Sequence, residues 1–440
     1  MHKGQQPSHS DWGADRAVLT RLYDTFVRSK LDYGSIVYGS ARKTYLQILN
    51  PVQNLGLRLI TGAFRTSPAD SLQIETNEQP LSLRREKLAL QYTIKLASNK
   101  LNPTHNTTFK PNAQRLFVLK PNSIPTIGIR LQPSLTALNI CHNDVALFTV
   151  PRAPPWTLAE PQVIFSVGKH KKIDENKEIL LKSFSEIEAK YRDYTHIYTD
   201  GSKDGEQVAS AAVIGDHVVQ SRLPDKCSIF TAELKAIQMA LEYIRSSRKT
   251  KFVIFSDSKS VLQALHNLKT ENALILLTIT EHQHLVSTGK SIVFCWIPSH
   301  IGIAGNDKAD AAAGLARQLA ITNLKIPHTD LRMSINKYIT GCWQDSWNSE
   351  TTNKLHEVTP SIGERPHYKR QNRKEEVVLC RLRIGHTHLT HCYLLKGDAQ
   401  PECATCQCPL TIKHILLECT HYKTFRPNGF HTASMKDFFE

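Results

Sequence analysis

Four acidic residues between positions 194 and 317 are spaced so that they could converge on one site. Asp200 closes the run 195–199, which is rich in β-branched and aromatic residues, and Asp257 closes a similar run at 252–256. Both runs are predicted to be strands of the parallel type that end at a carboxylate. Ligand crevices of open α/β sheets lie at such strand ends. The two carboxylates are therefore expected at the same edge of one sheet.

Two further acids, Glu233 and Asp310, lie on predicted helices. At roughly 100° per residue, Glu233 falls about 40° from Ile237, on the apolar face that turns toward the sheet. Asp310 lies one turn inside a predicted helix that begins at residues 305–307, and Asn306 is the predicted N-cap of that helix. A half-buried carboxylate costs free energy unless it is paired, protonated or bound to a cation. Both positions therefore indicate a functional role.

Carboxylates that converge on one crevice repel each other, and a divalent cation relieves that repulsion. Oxygen ligands at strand and helix ends suit Mg²⁺ or Mn²⁺ better than zinc. Two such ions, roughly 3.5–4 Å apart, can activate a water and stabilise the leaving oxygen of a phosphodiester. The four acids therefore predict phosphodiester hydrolysis.

Five short motifs in this region follow one another in the order Asp, Glu, Asp, His, Asp. They occupy residues 198–202, 231–234, 256–258 and 296–300, and the last continues through Gly302, Gly305, Asn306 and Ala309 to Asp310. The set resembles type 1 ribonuclease H. An Asp-Gly-Ser turn alone is common, but five motifs in this order, each at a strand or helix boundary, are specific.

The resemblance implies a ribonuclease-H-like α/β fold, a five-stranded mixed sheet flanked by helices. It implies strands at 250–257 and 291–296 and a hairpin at 208–223 around Gly215 and Asp216. It also implies two Mg²⁺ (or Mn²⁺) ions and endonucleolytic cleavage of the RNA strand of an RNA–DNA hybrid.

The family's site residues fall on matching positions of this sequence. The implied metal ligands are Asp200, Glu233, Asp257 and Asp310, and His300 is implied as a mobile group that assists proton transfer or product release. Asp307 is a rival of Asp310. An acid in the first turn of a helix generally interacts with the helix dipole, which favours Asp310 as the ligand.

The charge of the 440-residue chain is consistent with a nucleic-acid partner. Its formal net charge is +15, and the excess of basic residues is largest in the first 150 positions. Such a balance favours polyanionic partners. No apolar run is long enough to cross a bilayer, and the first residues lack a signal-peptide core, so an intracellular location is expected, nuclear or cytoplasmic. Protein partners are not identified by the sequence.

Residues 1–100 are predicted to be helical. Their segments 29–34, 62–68 and 80–85 resemble the region that follows the polymerase core in reverse transcriptases of non-LTR retrotransposons. The chain has no Asp-Asp dipeptide and lacks the acids of a polymerase palm, so DNA synthesis is not expected. Four arginines of this region are either remnants of a nucleic-acid-binding surface or ordinary solvated charges: Arg58, Arg65, Arg84 and Arg85.

Residues 101–190 are rich in proline and lack sustained periodicity, which is typical of a linker or connector. The ribonuclease H domain is predicted at 191–324. A helical tail is predicted at 325–440, with helices at 331–347 and 375–385.

The tail carries a second candidate metal site. Cys403 and Cys406 can bind one ion from a single tight turn, and His414 and Cys419 complete a tetrahedral set that suits zinc. The spacing resembles the Cys-Cys-His-Cys cluster near the carboxyl end of many non-LTR retrotransposon polyproteins and implies one structural Zn²⁺. Cys408 is an extra thiol that could compete for a ligand position. The alternative is that these cysteines are buried or free.

The sequence therefore predicts an RNA–DNA hybrid ribonuclease within a truncated retrotransposon polyprotein. Two alternatives remain open. One is a non-catalytic nucleic-acid-binding remnant, which the intact acidic set disfavours. The other is a DNA transposase of ribonuclease-H-like fold, which the motif from His300 to Asp310 disfavours.

Overall fold

The chain forms two compact units. The computed structural model describes residues 12–110, 117, 119, 123–148, 160–166, 177–267, 270, 272–363, 372–426 and 434–439. One unit, here called the helical unit, comprises residues 1–92, 113–131 and 335–440. The other, here called the sheet unit, comprises residues 93–112 and 132–334.

The sheet unit is built on a mixed sheet that has six strands within the described residues. The strands are β1 Gln162–Ile164, β2 Thr195–Asp204, β3 Gln207–Ile214, β4 His217–Leu223, β5 Lys251–Ser256 and β6 Ser291–Trp296. Their order in the sheet is β1-β6-β5-β2-β3-β4. The neighbours from β1 to β2 pair in parallel, and β2, β3 and β4 pair antiparallel. The predicted fold class is confirmed, and the short β1 adds a sixth strand at the edge.

The helices are divided between the two units. In chain order they are α1 Arg16–Tyr23, α2 Ser29–Asp32, α3 Ser35–Tyr38, α4 Lys43–Gln47, α5 Asn50–Thr61, α6 Ala69–Thr76, α7 Leu81–Ala97, α8 Thr104–Phe109, α9 Ile127–Ala137, α10 Lys177–Lys190, α11 Ile229–Ser246, α12 Lys259–His266, α13 Ala273–Ser287, α14 Ala304–Ala316, α15 His328–Ser349, α16 Lys354–Val358, α17 Arg373–Ile384, α18 His388–His391, α19 Tyr393–Lys396 and α20 Met435–Phe439. Short π-helical or 3₁₀ turns lie at Asp24–Arg28, His142–Asp144, His414–Glu418 and His421–Phe425.

Both faces of the sheet are covered, because successive side chains of a strand point to opposite faces. Phe252 and Ile254 of β5 belong to the core that α11, α12 and α13 cover. Val253 and Phe255 belong to the core on the other face. There Phe184 of α10 meets Phe255 edge-on, with ring centroids 5.4 Å apart. A strand buried on both faces is expected to be a continuous apolar run, as β5 is.

Two glycines allow helices to approach β2 closely beside the acidic residues. A Cβ at Gly201 would lie 2.6 Å from the backbone nitrogen of Glu233, and a Cβ at Gly305 would lie 2.3 Å from the ring of Tyr198. A side chain at either position would force the helix away from the strand. Gly201 therefore allows α11 to hold Glu233 next to the end of β2, and Gly305 allows α14 to begin over Tyr198.

The helical unit draws one core from both ends of the chain. Buried Tyr23 and Leu57, from α1 and α5, share a cluster with Trp343 and Trp347 of α15. The Trp347 indole Nε1 donates a hydrogen bond to the Thr359 carbonyl at 2.8 Å. Residues 1–100 and 325–440 are separate segments in the sequence prediction, yet both contribute to this core.

Two of the four arginines singled out in the sequence serve structure within the helical unit. Arg84 donates to both carboxylate oxygens of Asp32, at 3.1 and 2.6 Å. Arg58 donates to the Ser67 carbonyl at 2.8 Å. The part of the predicted linker at 111–116 and most of 149–176 lie outside the described residues.

Gly201→Ala should destabilise the sheet unit, because the added methyl group would overlap the backbone at Glu233. Overpacking of this kind costs about 1–3 kcal/mol. The measurement is thermal unfolding followed by circular dichroism. Gly314→Ala is the matched control, because a Cβ at this helical position meets nothing within 4 Å; it should leave stability unchanged or raise it by up to about 1 kcal/mol. Equal effects of the two substitutions would contradict the close approach at Gly201.

Candidate active site

Three of the four predicted acids converge at one edge of the sheet. Asp200 lies on β2, Glu233 on α11, and Asp257 directly after β5. Parallel pairing of Thr199 with Ser256 places the residues that follow them side by side. One carboxylate oxygen from each acid lies within 4.8 Å of the others. The three side chains can therefore contact a single ion.

Glu233 reaches this edge because α11 starts close to it. Ser228 caps the helix, and its side-chain oxygen accepts a hydrogen bond from the Thr231 backbone N–H at 3.2 Å. Glu233 follows in the second turn and is only 8% exposed. Its Oε2 atom is buried and has no hydrogen-bond partner in the part of the chain that the structure describes. A buried carboxylate oxygen without a donor is the feature that a cation would satisfy.

Burial and neighbouring negative charges disfavour the charged forms of these acids. Burial, with the nearby charges of Asp257 and Asp310, raises the pKa of Asp200 to about 8. Burial, with the charges of Asp200 and Asp257, also raises the pKa of Glu233 well above its usual range. Burial raises the pKa of Asp257 as well. The cluster therefore retains protons near neutral pH unless a cation stabilises its ionised form.

Asp310 and His300 lie at the exposed margin of the cluster. The Asp310 side chain is 52% exposed and lies outside the group of three acids, although its charge raises the pKa of each of them. The His300 side chain is 78% exposed, with Nδ1 4.0 Å from Asp310 Oδ2. His300 has a φ of +58°, a conformation that non-glycine residues rarely adopt. The structure thus places a compact triad of acids beside an exposed Asp–His pair.

Asn306 has a different role from the one predicted. The expectation that it caps α14 is wrong, because the helix begins at Ala304 with Ile303 in the cap position. The Asn306 side chain is instead buried, and its Nδ2 donates to Asp257 Oδ2 at 3.5 Å. The Trp296 indole Nε1 donates to the Asp257 backbone carbonyl at 3.1 Å. Asp257 is therefore held from two sides.

The predicted cysteine and histidine ligands also come together, within the helical unit. Ligand atoms of Cys403, Cys406, His414 and Cys419 all lie within 4.8 Å of one another. The Sγ atom of Cys419 lies 3.7 Å from that of Cys403 and 3.9 Å from that of Cys406. Two thiolates on a tetrahedral zinc ion, each bonded at about 2.3 Å, would lie roughly 3.8 Å apart. Cys408, the extra thiol, lies 3.4 Å from His414 Nδ1.

Backbone hydrogen bonds shape this second site. The Cys403 N–H donates to the Cys408 carbonyl at 2.9 Å, and the Gln407 N–H donates to the Cys403 carbonyl at 2.8 Å. These bonds close the turn that carries the first two cysteines. The Cys419 N–H donates to the His414 carbonyl at 2.7 Å, which brings the last two ligands together.

Comparison with known proteins locates one domain family within the sheet unit. Residues 192–318 match the family model described as RNase H. The Pol polyprotein of equine infectious anemia virus (strain Wyoming) is 33% identical over an alignment of 132 positions, which covers 28% of this chain and 11% of that protein. The chain therefore spans only about a tenth of the length of this curated relative.

Solved structures of RNase H1 proteins are similar to part of the chain. RNase H1 from the halophilic archaeon Halobacterium salinarum NRC-1 is 23% identical, with a TM-score of 0.23, and the match covers 28% of this chain and 96% of that one. LC11-RNase H1, isolated from compost, is 20% identical, with a TM-score of 0.24, and the match covers 28% of this chain and 94% of that one.

Among the described residues, no helix is long and apolar enough to span a membrane.

The contacts of Asp257 predict two pKa shifts of opposite sign. Asn306→Ala should raise the pKa of Asp257, because the Asn306 hydrogen bond lowers it. Asp310→Asn should lower it, because the Asp310 charge raises it. Titration of the carboxyl carbons by NMR, in metal-free buffer, measures both shifts. Shifts of the same sign in the two variants would contradict the arrangement.

Proposed function

We propose that the RNase H domain at residues 192–318 hydrolyses the RNA strand of RNA–DNA hybrids endonucleolytically, as a type 1 enzyme. The observation that carries this proposal is the group of Asp200, Glu233 and Asp257, whose carboxylate oxygens lie within 4.8 Å of one another. The family match at residues 192–318 gives the group its chemical context.

The acidic group fits divalent cations. Its ligand atoms are all carboxylate oxygens, which suit Mg²⁺ or Mn²⁺, and Glu233 Oε2 is buried without a partner among the described residues. Asp200, Glu233 and Asp257, with Asp310 at the margin, would hold two ions. When bound, the ions supply activation of a water and stabilisation of the leaving oxygen.

The chain's own residues orient and complete the site. Asn306 donates a hydrogen bond to the Asp257 carboxylate, and Trp296 donates one to the Asp257 backbone carbonyl, so that both the side chain and the backbone of Asp257 have a hydrogen-bond partner. His300 is exposed beside Asp310, where it can exchange protons with solvent and with bound nucleic acid. This position suits a group that assists proton transfer or product release and is not itself a ligand.

The proposed substrate follows from charge and backbone chemistry. A chain with a net charge of +15 favours a polyanion, and phosphate contacts make such binding weaken as salt rises. The 2′-hydroxyl distinguishes an RNA strand from DNA at a given site. We therefore expect cleavage of hybrids and not of duplex DNA, which separates this function from that of a DNA transposase.

The wider context belongs to the same proposal. The match to a viral Pol polyprotein agrees with an origin in a reverse-transcribing element. Within it we assign residues 1–100 to a reverse-transcriptase remnant of non-LTR type, 101–190 to a connector, 191–324 to the nuclease and 325–440 to the tail. In the tail, Cys403, Cys406, His414 and Cys419 would hold one structural Zn²⁺. Their ligand atoms lie within 4.8 Å of one another, and the Sγ atom of Cys419 lies 3.7 and 3.9 Å from those of Cys403 and Cys406, close to the separation of two thiolates on a tetrahedral zinc ion.

Cleavage of a labelled RNA–DNA hybrid in Mg²⁺ tests the nuclease proposal. Asp257→Asn should lower the rate by more than about 10³-fold, since it removes a ligand charge worth several kcal/mol in the transition state. Its binding of the hybrid should change little, because the shape is retained. His300→Ala should slow cleavage by roughly 10- to 100-fold without abolishing it, as expected for an assisting group.

The controls for this assay are Asp307→Asn and duplex DNA. Asp307 lies in the first turn of α14 and is exposed, so its substitution should leave the rate within twofold of wild type. If the Asp257→Asn variant cleaves the hybrid at the wild-type rate, Asp257 is not a metal ligand of the catalytic site. Equal cutting of duplex DNA and hybrid would favour a transposase, and hybrid binding without cleavage would favour a non-catalytic remnant.

The zinc proposal predicts one zinc ion per chain in the purified full-length protein, measured by elemental mass spectrometry. Cys403→Ser and Cys419→Ser should each lose the ion, because each removes a buried thiolate ligand. Cys141→Ser, at an exposed cysteine outside the cluster, should retain it. Protein stripped of zinc should still cleave hybrids once Mg²⁺ is restored. Zinc retained in both cluster variants would contradict the assignment.

A further inference from the structure

The helical unit contains a cavity that hybrid cleavage does not use. Its volume is about 710 Å³, and its lining residues all belong to this unit. Small-molecule sites are typically clefts of roughly 300–1,000 Å³. The cavity shares no residue with the acidic group or with the cysteine cluster. It is large enough for a ligand of nucleotide size.

Two arginines line this cavity without acidic partners. Arg85 Nη1 and Arg130 Nε are shielded from solvent, and neither atom has a hydrogen-bond partner within the described residues. Arg130 uses Nη1 to donate to the Gly39 carbonyl at 2.8 Å. Burial lowers the pKa of both guanidinium groups, and no neighbouring carboxylate opposes that effect. Half-buried cations in this state would be stabilised by a bound anion.

The charges around the cavity favour a ligand with one phosphate group. Lys43, Arg85 and Arg130 supply three positive charges, and Asp70 and Glu86 supply two negative ones, which leaves a net charge of +1. Neither arginine is ion-paired with these acids in the part of the chain that the structure describes. A guanidinium fork matches the geometry of phosphate oxygens.

Other lining groups require hydrogen-bond donors and apolar surface from the ligand. Asn54 Oδ1 and Gln73 Oε1 are buried and lack donors among the described residues. Leu83, Leu131 and Ile36 add apolar side chains to the wall. A ligand that satisfies this lining carries an anionic group, hydroxyl or amino donors, and an apolar ring face. These features occur together in a nucleotide.

We propose that this cavity binds a nucleoside monophosphate, either free or as the 5′-terminal nucleotide of a strand. Arg85 and Arg130 hold the phosphate, and the amides of Asn54 and Gln73 accept hydrogen bonds from the base or the sugar. The shielded atoms reach the ligand only if these side chains rotate toward it, so the proposal includes that rotation. This binding site is additional to the proposed nuclease and does not depend on it.

Calorimetric titration of the full-length protein tests the site. The probes are adenosine 5′-monophosphate, adenosine, inorganic phosphate, and a short single-stranded DNA with and without a 5′-phosphate. The nucleotide or the phosphorylated strand should bind at least tenfold more tightly than the same molecule without its phosphate. Arg85→Gln and Arg130→Gln should each weaken that binding at least tenfold. Arg65→Gln removes the same charge from an exposed position outside the cavity and should stay within twofold.

The outcomes separate the elements of the proposal. Tight binding of the free nucleotide, or of the phosphorylated strand alone, identifies the source of the phosphate and supports the site. If neither the free nucleotide nor the phosphorylated strand binds, the proposed site is overturned. The site is also overturned if neither Arg85→Gln nor Arg130→Gln weakens the binding. If inorganic phosphate binds as tightly as the nucleotide, the claim that the cavity recognises the nucleoside is overturned.

Folding of the variants does not obscure this test. The Arg85 side chain makes no hydrogen bond within the described residues. Arg85→Gln therefore decides the question even if circular dichroism shows that Arg130→Gln, which loses the bond to Gly39, is misfolded. Hybrid cleavage by Arg85→Gln should equal that of wild type. Failure of the nucleotide site and failure of the nuclease proposal therefore appear in different assays.

Discussion

The sheet unit depends on an unfavourable arrangement of charge that its fold must overcome: Asp200, Glu233 and Asp257 are held together although burial raises the pKa of all three and the Asp257 charge raises the pKa of the other two. Burial intensifies this effect, because charges interact more strongly away from water. Close packing makes the arrangement attainable. Gly201 brings α11 against β2, and without that approach Glu233 would not reach the strand end.

The remaining contacts fix the acids in place. Asn306 and Trp296 hold Asp257, whereas Asp310 and His300 remain exposed at the margin. A rigid inner group and an exposed outer pair suit different tasks. The inner group can keep its geometry when cations bind, and the outer pair can exchange protons and adapt to a strand. The cysteine and histidine group that contains Cys403 belongs to the other unit, so the two proposed metal sites lie in separate units of the chain.

Much of the sheet unit could be predicted from the sequence because its signals are local. The apolar run of β5 and the turn at Gly215 and Asp216 between β3 and β4 indicate strands by their local pattern, and Asp257 follows directly after β5. β1 escaped prediction because a three-residue strand has too little pattern to recognise. The role of Asn306 could not be predicted either, because an asparagine near a helix start is usually a cap. Only the position of Asp257 shows that the Asn306 side chain turns inward. The core shared by Tyr23 and Trp343 depends on packing between distant segments, which periodicity cannot reveal.

The most direct test of the acidic centre is the anomalous diffraction of crystals of the protein grown with Mn²⁺. The expected result is an anomalous peak bonded to carboxylate oxygens of Asp200, Glu233 and Asp257, which is lost in crystals of the Asp257→Asn variant. Ordered manganese found only elsewhere, with the three carboxylates bonded to one another through shared protons, would contradict a cation-binding role for this group.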